Sequence, residues 1–289
     1  MEARHILKDA GVEAYSLEAR LLVAKAAGKT GEELLRDLNM YVMPELEKKM
    51  MDILRRRAAG EPAAYLTGQW EFYGMPLKIT KDVLIPRNDT EVLAEKAIDL
   101  LRLKNETTRV LDLCCGSGCL GIAIGANCGH CRVTMADKSP QAVRISRYNV
   151  NMNNLARNVN CIDVDALMPP PRLMGRYDLI VCNPPYIPSD VIETLDKSVK
   201  DFEPRMALDG GRDGLDFYRS VASSWKASLK DRGVMMFEVG YDQAESVKEI
   251  MNQNGFWNVC SIKDTQGIDR VVLGISLEEE TVRKMGQET

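Results

Sequence analysis

The sequence contains few of the residues that mark several common classes of protein. Histidine occurs twice, at His5 and His130, and aromatic residues make up 6% of the 289 residues. Neither histidine lies near a segment with the pattern of a site, so catalysis by histidine is not expected. No run of about 18 apolar residues occurs, so we expect no membrane partner. The first residues lack the basic and then apolar order of a signal peptide, which predicts a cytoplasmic protein.

The chain also lacks an excess of positive charge. Its 38 lysines and arginines are outnumbered by 42 acidic residues, which gives a net charge of -4. Proteins that bind duplex nucleic acid usually present a basic face. The one dense basic run, Arg55 to Arg57, falls on a predicted helix, and a solvated helix face explains it better than a phosphate clamp. This slightly negative charge balance favours a protein partner over nucleic acid, and no direct nucleic-acid substrate is expected.

Paired cysteines of the kind that form disulfides or bind zinc are not evident either. Five of the eight cysteines lie in apolar runs, where a free thiol behaves as a small hydrophobic group. The segment 128–131 reads Cys-Gly-His-Cys and has metal-ligand spacing, but no second pair accompanies it. We therefore expect reduced thiols and no metal.

Helix signals dominate the first sixty residues. Thr30 and Glu33 have the spacing of a capping box, and Pro44 suits the first turn of a helix that runs through Arg57. The stretch 65–85 contains glycines among aromatic and β-branched residues, which predicts a hairpin. We predict a helical bundle over 1–64, a hairpin linker over 65–85 and a larger domain over 86–289.

From Arg109 onward, short apolar strands alternate with helices. This alternation is typical of a parallel sheet covered by helices on both faces. The last two strands are too close in sequence for a crossover helix, so they should pair antiparallel. The pattern predicts an α/β protein with the Rossmann-like sheet of class I methyltransferases and an antiparallel final strand. The predicted strands are Arg109–Leu113, Arg132–Ala136, Asn158–Ile162, Tyr177–Cys182, Gly233–Val239, Asn258–Lys263 and Arg270–Ile275, and the predicted helices are Leu120–Ala126, Gln141–Asn153, Leu215–Leu229 and Gln243–Asn252.

A glycine-containing turn follows the first of these strands and predicts a cofactor site. Glycine lets the backbone approach a ligand closely, and ligands bind at the carboxyl ends of parallel strands. No lysine follows Gly118, which excludes a phosphate-binding P-loop. Asp137 ends the second strand, where it would accept hydrogen bonds from ribose hydroxyls of a dinucleotide or of S-adenosylmethionine; the alternative is that it caps the next helix. The predicted cofactor-binding residues are Cys114, Cys115, Gly116, Ser117, Gly118, Asp137, Asp165, Ala166 and Asn183.

The most specific feature is the segment Asn183-Pro184-Pro185-Tyr186 at the end of the fourth strand. Two prolines make the backbone rigid and remove two N–H donors. The Asn183 side-chain carbonyl and the Pro184 backbone carbonyl are then each able to accept one hydrogen from a substrate NH₂ group. Such acceptors would hold a conjugated nitrogen and support the positive charge that develops on it. Tyr186 would supply an aromatic face for this flat group. We predict Asn183, Pro184 and Tyr186 as catalytic residues, and all four residues as the substrate-binding segment.

Other interpretations of this segment stay open on the residues alone. An Asn-Pro turn that merely ends a strand is frequent. An N6-adenine methyltransferase acting on DNA or RNA would need the same geometry around a flipped base, although neither a basic groove nor a recognition domain is evident. A non-catalytic binding module would be expected to carry a broken segment, whereas all four residues are present.

The chain resembles the HemK/PrmC family of release-factor glutamine methyltransferases over nearly its whole length. The segments that carry the resemblance are 60–68, Leu84 to Glu91, the run 202–215, Glu238-Val239-Gly240 with Gln243, and residues 263–270. The resemblance implies methylation, with S-adenosylmethionine as cofactor, at N5 of the glutamine in the Gly-Gly-Gln motif of peptide-chain release factors. It also implies that the cofactor lies against residues 114–118, Asp137, Ala166 and Asn183.

Three positions depart from the family pattern. Cys114 and Cys115 stand where glycine and threonine are usual, Asn88 replaces a proline, and Ala166 stands where an aromatic residue often flanks the adenine. We expect the two cysteines to tighten the turn and weaken cofactor binding, and Ala166 to remove a stacking surface. None of the three touches the predicted methyl-acceptor chemistry.

Overall fold

The computed structural model describes residues 2–37, 43–278 and 281. The predicted N-terminal helices are confirmed, as is the capping box: the Thr30 hydroxyl accepts from the Glu33 N–H at 3.2 Å, and the Glu33 carboxylate accepts from the Thr30 N–H at 2.7 Å. Pro44 occupies the first turn of its helix, where its missing N–H costs nothing. The five helices are α1 (Glu2–Asp9), α2 (Tyr15–Ala27), α3 (Gly31–Arg36), α4 (Pro44–Ala58) and α5 (Ala63–Thr67).

The arginine run at the end of α4 is used inside the protein. Arg56 pairs with the buried Glu61 at 2.7 Å, and Arg57 pairs with Glu18 of α2 at 2.5 Å. These contacts fix the end of α4 to its neighbours, so two of the three arginines serve the fold and not a phosphate. The helices share a small core of their own, formed by Leu7, Val12, Ala19, Leu22, Ala26, Ile53, Leu54 and Leu66.

The predicted hairpin is present but shorter than expected. Residues 65–67 belong to α5, which ends at Gly68 in the left-handed conformation (φ 70°), a common helix terminator. Strands β1 (Gln69–Phe72) and β2 (Met75–Lys78) then pair antiparallel across a two-residue turn. Both turn residues, Tyr73 and Gly74, have positive φ, as a type I′ turn requires. Phe72 and Leu77 pack into the core of the larger sheet.

The larger sheet has seven strands in the order β5-β4-β3-β6-β7-β9-β8. The first five are parallel, and β9 pairs antiparallel with both β7 and β8, as the sequence predicts. The strands are β3 (Thr108–Leu113), β4 (Cys131–Asp137), β5 (Val159–Asp163), β6 (Tyr177–Cys182), β7 (Leu229–Glu238), β8 (Trp257–Lys263) and β9 (Asp269–Ser276). The long helices on its faces are α6 (Thr90–Arg102), α7 (Cys119–Asn127), α8 (Pro140–Met152) and α11 (Ala244–Gln253), with short α9 (Lys197–Lys200) and α10 (Asp216–Ser220).

The helix predicted over 215–229 is less regular than its sequence indicates. After α10 the chain forms a π-helical turn over Val221–Trp225 and a 3₁₀ turn over Lys226–Ser228. Single π-turns are rare and often occur at functional sites. Here the turn accompanies a fully buried Trp225, whose indole N–H donates to the Ala166 carbonyl at 3.0 Å. The same N–H also contacts the Met168 carbonyl at 3.1 Å, so Trp225 links the irregular helix to the segment after β5.

Within residues 2–37, 43–278 and 281, no helix combines the length and the apolar character needed to cross a bilayer.

Candidate active site

The strand order defines where a ligand can bind. The chain builds β3, β4 and β5 outward in one direction and then returns to place β6 on the other side of β3. In open α/β sheets, such a reversal leaves a crevice at the carboxyl ends of the two strands that flank it. Leu113 and Cys182 are aligned across these strands, so the glycine turn and the asparagine–proline segment emerge side by side.

The turn after β3 adopts a backbone that favours glycine. Cys114, Gly116 and Gly118 have φ values of 58°, 54° and 83°. At Gly118 the left-handed φ itself favours glycine, and an added Cβ would also lie 2.9 Å from the methyl group of Met135. At Gly116 a Cβ would meet nothing within 4 Å, because this glycine faces the open crevice. Cys114 is the one non-glycine residue of the three and adopts the left-handed region at a steric cost.

A buried carboxyl group lies directly beneath this turn. Asp112 is fully buried, and one carboxyl oxygen accepts from the Gly121 N–H at 2.9 Å. Its other oxygen has no hydrogen-bond partner among the residues that the structure describes. Burial raises the pKa of Asp112 to about 8, against the lowering effect of the Gly121 N–H. Asp112 therefore supports the turn from below and holds its proton at neutral pH.

Asp137 connects the turn to the end of β4. One carboxylate oxygen accepts from the Gly116 N–H at 2.8 Å and the other from the Ser139 N–H at 2.9 Å. Burial raises its pKa, and these two N–H groups oppose the increase. The cap of α8 is Ser139, whose hydroxyl accepts from the Ala142 N–H at 3.2 Å. The alternative interpretation of Asp137 as that cap is therefore wrong.

The far wall of the crevice contains the residues that follow β5. Lys138 pairs with Asp165 at 2.8 Å, and Ala166 is buried. The Ala166 carbonyl is already engaged by Trp225. Since alanine offers no aromatic face, the expectation that a planar base lacks a stacking partner at this position stays a prediction.

The asparagine–proline segment is clamped from two sides. The Asn183 side-chain N–H donates to the Thr90 hydroxyl at 3.2 Å. On the other side, the Gln243 amide donates to the Tyr186 carbonyl at 2.9 Å. Tyr186 is largely enclosed, and burial raises the pKa of its phenol. The Tyr186 carbonyl is therefore engaged, whereas the Asn183 side-chain carbonyl and the Pro184 and Pro185 backbone carbonyls accept no hydrogen bond from the residues that the structure describes.

A glycine-rich segment packs directly on this loop. A Cβ at Gly210 would lie 2.7 Å from the Tyr186 Cα atom, and one at Gly214 would overlap the Tyr186 carbonyl oxygen. Backbone hydrogen bonds link the two segments, from Ile187 N–H to the Leu208 carbonyl and from Gly210 N–H to the Ile187 carbonyl, each at 2.9 Å. Close packing by glycine thus fixes the position of the loop.

Nine of the predicted site residues line one cavity. Of the rest, Gly118 caps α7 with its backbone, and Pro184 and Tyr186 flank the cavity without lining it. The nine lining residues are Cys114, Cys115, Gly116, Ser117, Asp137, Asp165, Ala166, Asn183 and Pro185.

Several lining residues were given no individual role by the sequence. Nine of them come from three segments, namely 82–90, 204–207 and the start of α10, and the others are Cys119, Leu120, Lys138, Ser139 and Ala142. An ion pair between a partly exposed arginine and a buried carboxylate links the first two: Arg87 contacts Glu203 at 2.5 Å, and Glu203 also accepts from the Ile85 N–H at 3.2 Å. The segment Leu84 to Glu91 carries part of the family resemblance, but no periodicity or spacing indicates these contacts. The lining residues concerned are Asp82, Val83, Leu84, Pro86, Thr90, Pro204, Met206, Ala207 and Phe217.

These residues fit S-adenosylmethionine. Asp137 offers a carboxylate for ribose hydroxyls, and Gly116 leaves open space where any other residue would project a side chain. Leu84, Pro86 and Phe217 provide apolar walls for a nucleoside. Fold and site together define a class I methyltransferase.

Comparison with known proteins agrees with this class. The methyltransferase small domain matches residues 90–199, and the PrmC N-terminal domain matches residues 1–68. A methyltransferase structure from Pyrococcus furiosus, 16% identical, covers 80% of this chain and 100% of its own with a TM-score of 0.52, which shows the shared fold.

Two relatives are more similar in sequence. The release factor glutamine methyltransferase of Clostridium botulinum is 38% identical, over 94% of this chain and 96% of its own. The release factor-specific protein-(glutamine-N5) methyltransferase of Alicyclobacillus acidocaldarius is 31% identical, over 70% of this chain and 99% of its own, with a TM-score of 0.42. The chain belongs to the release factor glutamine methyltransferase family.

Proposed function

We propose that this chain methylates the side-chain amide nitrogen, N5, of the glutamine in the Gly-Gly-Gln motif of peptide-chain release factors. One observation carries the proposal: a chain 38% identical to a release factor glutamine methyltransferase over 94% of its length keeps an intact asparagine–proline segment beside the cofactor crevice. The substrate assigns the enzyme to translation termination in the cytoplasm. Eight free cysteines are in keeping with a reducing compartment.

The cofactor is held by the residues that line the crevice. Asp137 would accept from the ribose hydroxyls, the turn 114–118 would hold the ligand with its backbone, and Asp165 and Ala166 would lie beside the adenine. When bound, S-adenosylmethionine supplies a methyl group on a sulfonium, a carbon that a weak nucleophile can attack. Cys114 and Cys115 form part of the wall of this crevice, and their expected weakening of cofactor binding stays a prediction.

The acceptor loop prepares the nucleophile. An amide nitrogen is a poor nucleophile because its lone pair is delocalised into the carbonyl. The Asn183 and Pro184 carbonyl oxygens accept its two hydrogens, fix its direction and stabilise the positive charge that develops on it. Tyr186 borders the flat carboxamide. As the new N–C bond forms, the S–C pair stays on sulfur and the nitrogen's extra proton leaves to water.

The N-terminal bundle offers a surface for the protein substrate. Leu17 and Leu21 lie one turn apart on α2 and are about half exposed or more, as is Leu35 on α3. Apolar side chains clustered on a surface often mark a protein contact. We propose that the chain divides into a helical bundle (1–64), a hairpin linker (65–85) and a catalytic domain (86–289). The separate core of the bundle supports this division. Substituting Leu17 and Leu21 by serine should raise KM for the release factor without changing cofactor affinity.

Mass spectrometry tests the proposed function. The enzyme is incubated with a release factor and S-adenosylmethionine, and the peptides are analysed. One added methyl group confined to the Gly-Gly-Gln peptide is expected, and none when that glutamine is replaced by asparagine. Asn183→Ala should lower transfer by at least about a hundred-fold while cofactor binding remains measurable. Methylated adenine in added DNA or RNA, with an unmodified release factor, would overturn the proposal in favour of an adenine methyltransferase.

A further inference from the structure

One wall of the cofactor crevice is a segment without regular secondary structure. Residues 81–87, here called the strap, lie between the hairpin and α6 and contain neither helix nor strand. Asp82, Val83, Leu84 and Pro86 of the strap line the crevice. Because no helix or sheet ladder fixes the strap, contacts from other segments must hold this wall in place.

The first such contact comes from the N-terminal helices. Tyr65 lies on α5, and its hydroxyl donates to the Val83 carbonyl at 2.8 Å. The Tyr65 ring packs against the core of the larger sheet, and Val83 is 1% exposed. This hydrogen bond therefore fixes the backbone of the strap at a buried residue, where a backbone carbonyl needs a partner.

A buried carboxylate makes the second contact. Glu61 follows α4 and is 4% exposed. Arg56, in the last turn of α4, donates to both of its carboxylate oxygens, at 2.7 and 2.8 Å. The Lys81 ammonium lies 3.0 Å from the same carboxylate. Glu61 thus joins the end of α4 to the first residue of the strap through charge-assisted contacts.

The second half of the strap is held by a different segment. Glu203 accepts from the Ile85 N–H and pairs with Arg87. The contacts that hold the strap therefore fall on every second residue. These residues are Lys81, Val83, Ile85 and Arg87, whereas Asp82, Leu84 and Pro86 lie between them and line the crevice. A shift of an anchored residue would consequently move the neighbours that form the wall.

We propose that Glu61 and Tyr65 are positioning residues that fix the cofactor wall from the N-terminal helices. Neither residue lines the crevice, so each acts through the strap residue that it contacts. The helices that precede the hairpin thus contribute to cofactor binding, apart from any contact that they make with a protein substrate. This inference rests on S-adenosylmethionine as the cofactor and is independent of which acceptor is methylated.

Amide hydrogen exchange of the full-length enzyme without cofactor measures how firmly the strap is held. Exchange of a protected amide reports the equilibrium for local opening. The Val83 and Ile85 amides donate to the Thr80 carbonyl and to Glu203, which protects them in the natural chain. Tyr65→Phe keeps the ring and removes the hydrogen bond, so these two amides should exchange about three- to ten-fold faster.

Calorimetric titration with S-adenosylhomocysteine, the cofactor without its methyl group, measures the consequence for the crevice. The combined variant Glu61→Gln and Tyr65→Phe removes the charge that attracts Lys81 together with the hydrogen bond to Val83. Only molecules whose wall is in place bind the ligand well, so this variant should bind at least about ten-fold more weakly than the natural chain.

Glu18→Gln is the matched control. It removes the same kind of charge from the ion pair of Glu18 with Arg57, which joins α2 to α4 and does not include a strap residue. It should keep both the exchange of the strap and the ligand affinity within about two-fold. Thermal melting of each variant establishes that it is folded. If the combined variant does not fold, Lys81→Met replaces Glu61→Gln in it, because that change leaves the pair of Arg56 with Glu61 intact.

Two results would overturn the positioning role. One is natural exchange rates at Val83 and Ile85 in folded Tyr65→Phe, or ligand affinity of the combined variant within about two-fold of the natural chain. The other is an equal loss of affinity in Glu18→Gln, which would assign the effect to overall stability. Neither measurement contains a release factor, so both are separate from the proposed function, which mass spectrometry of the methylated peptide tests.

Discussion

Replacing Asp112 by asparagine should change how the stability of this protein depends on pH. Asp112 is fully buried, and its pKa rises from an ordinary value of 3.8 to about 8. The native state therefore binds one proton more than the unfolded state between these two values. Stability falls with rising pH wherever the native state binds more protons. Above about pH 4, the natural chain should lose stability through this group until pH 8 is reached.

The expected magnitude follows from the size of the shift. Each pH unit within the interval costs about 1.4 kcal/mol, so the penalty is about 2 kcal/mol at pH 5 and about 4 kcal/mol at pH 7. Asparagine carries no such penalty, and its carbonyl still accepts from the Gly121 N–H. Its NH₂ group, however, would be buried without an acceptor at a cost of about 1–3 kcal/mol. Asp112→Asn should match the natural chain in stability within about 1 kcal/mol at pH 5 and be more stable at pH 7.

Urea unfolding of both proteins at pH 5 and pH 7, without cofactor, measures this effect. The unfolding free energy of the variant minus that of the natural chain should increase by about 3 kcal/mol from pH 5 to pH 7. Because all other groups are common to both proteins, their titrations cancel from this difference. A difference that stays constant with pH would show that Asp112 is ionised in the folded protein and would refute the reasoning.

Two further predictions concern the contacts that hold the site together. Gly214→Ala should lower kcat at least about ten-fold by displacing the Tyr186 carbonyl. The control is Gly74→Ala, which has nearly the same φ (73° against 74°) but nothing within 4 Å of the added Cβ, and it should keep kcat within about two-fold. Equal rates for the two variants would exclude the contact with Tyr186 as the cause. Arg87→Met should cost about 3 kcal/mol in urea unfolding by leaving the buried Glu203 charge unpaired, and the double variant with Glu203→Gln should recover most of it. No recovery would mean that Arg87 stabilises by packing alone.

The centre of the sheet was predictable because strands such as β3 and β6 are buried on both faces. Such strands appear in the sequence as short, nearly continuous apolar runs, and Tyr177–Cys182 is predicted to the residue. The antiparallel end followed from the short connection between β8 and β9, which leaves no room for a crossover. The positions of Asp137 and Asn183 in the crevice then follow from topology, since the carboxyl ends of parallel strands share one edge of the sheet.

The contacts between distant segments could not be predicted in this way. Thr90 and Asn183 are 93 residues apart, and Arg87 and Glu203 are 116 apart. The periodicity of apolar residues predicts which face of each segment packs on the core. It does not predict which polar side chains contact each other across a cavity. The positive φ of Cys114 could not be predicted either, because cysteine, unlike glycine, has no preference for the left-handed region.

The irregular helix after the acceptor loop contains Trp225, whose fluorescence should report on the cofactor site. Trp225 is fully buried and touches the Ala166 wall, whereas Trp70 and Trp257, the two other tryptophans, are 37% and 42% exposed. Its emission should therefore be blue-shifted relative to theirs and should respond when a nucleoside settles against that wall. Replacing Trp70 and Trp257 by phenylalanine would leave a single fluorophore, with which ligand arrival can be followed in real time without any label.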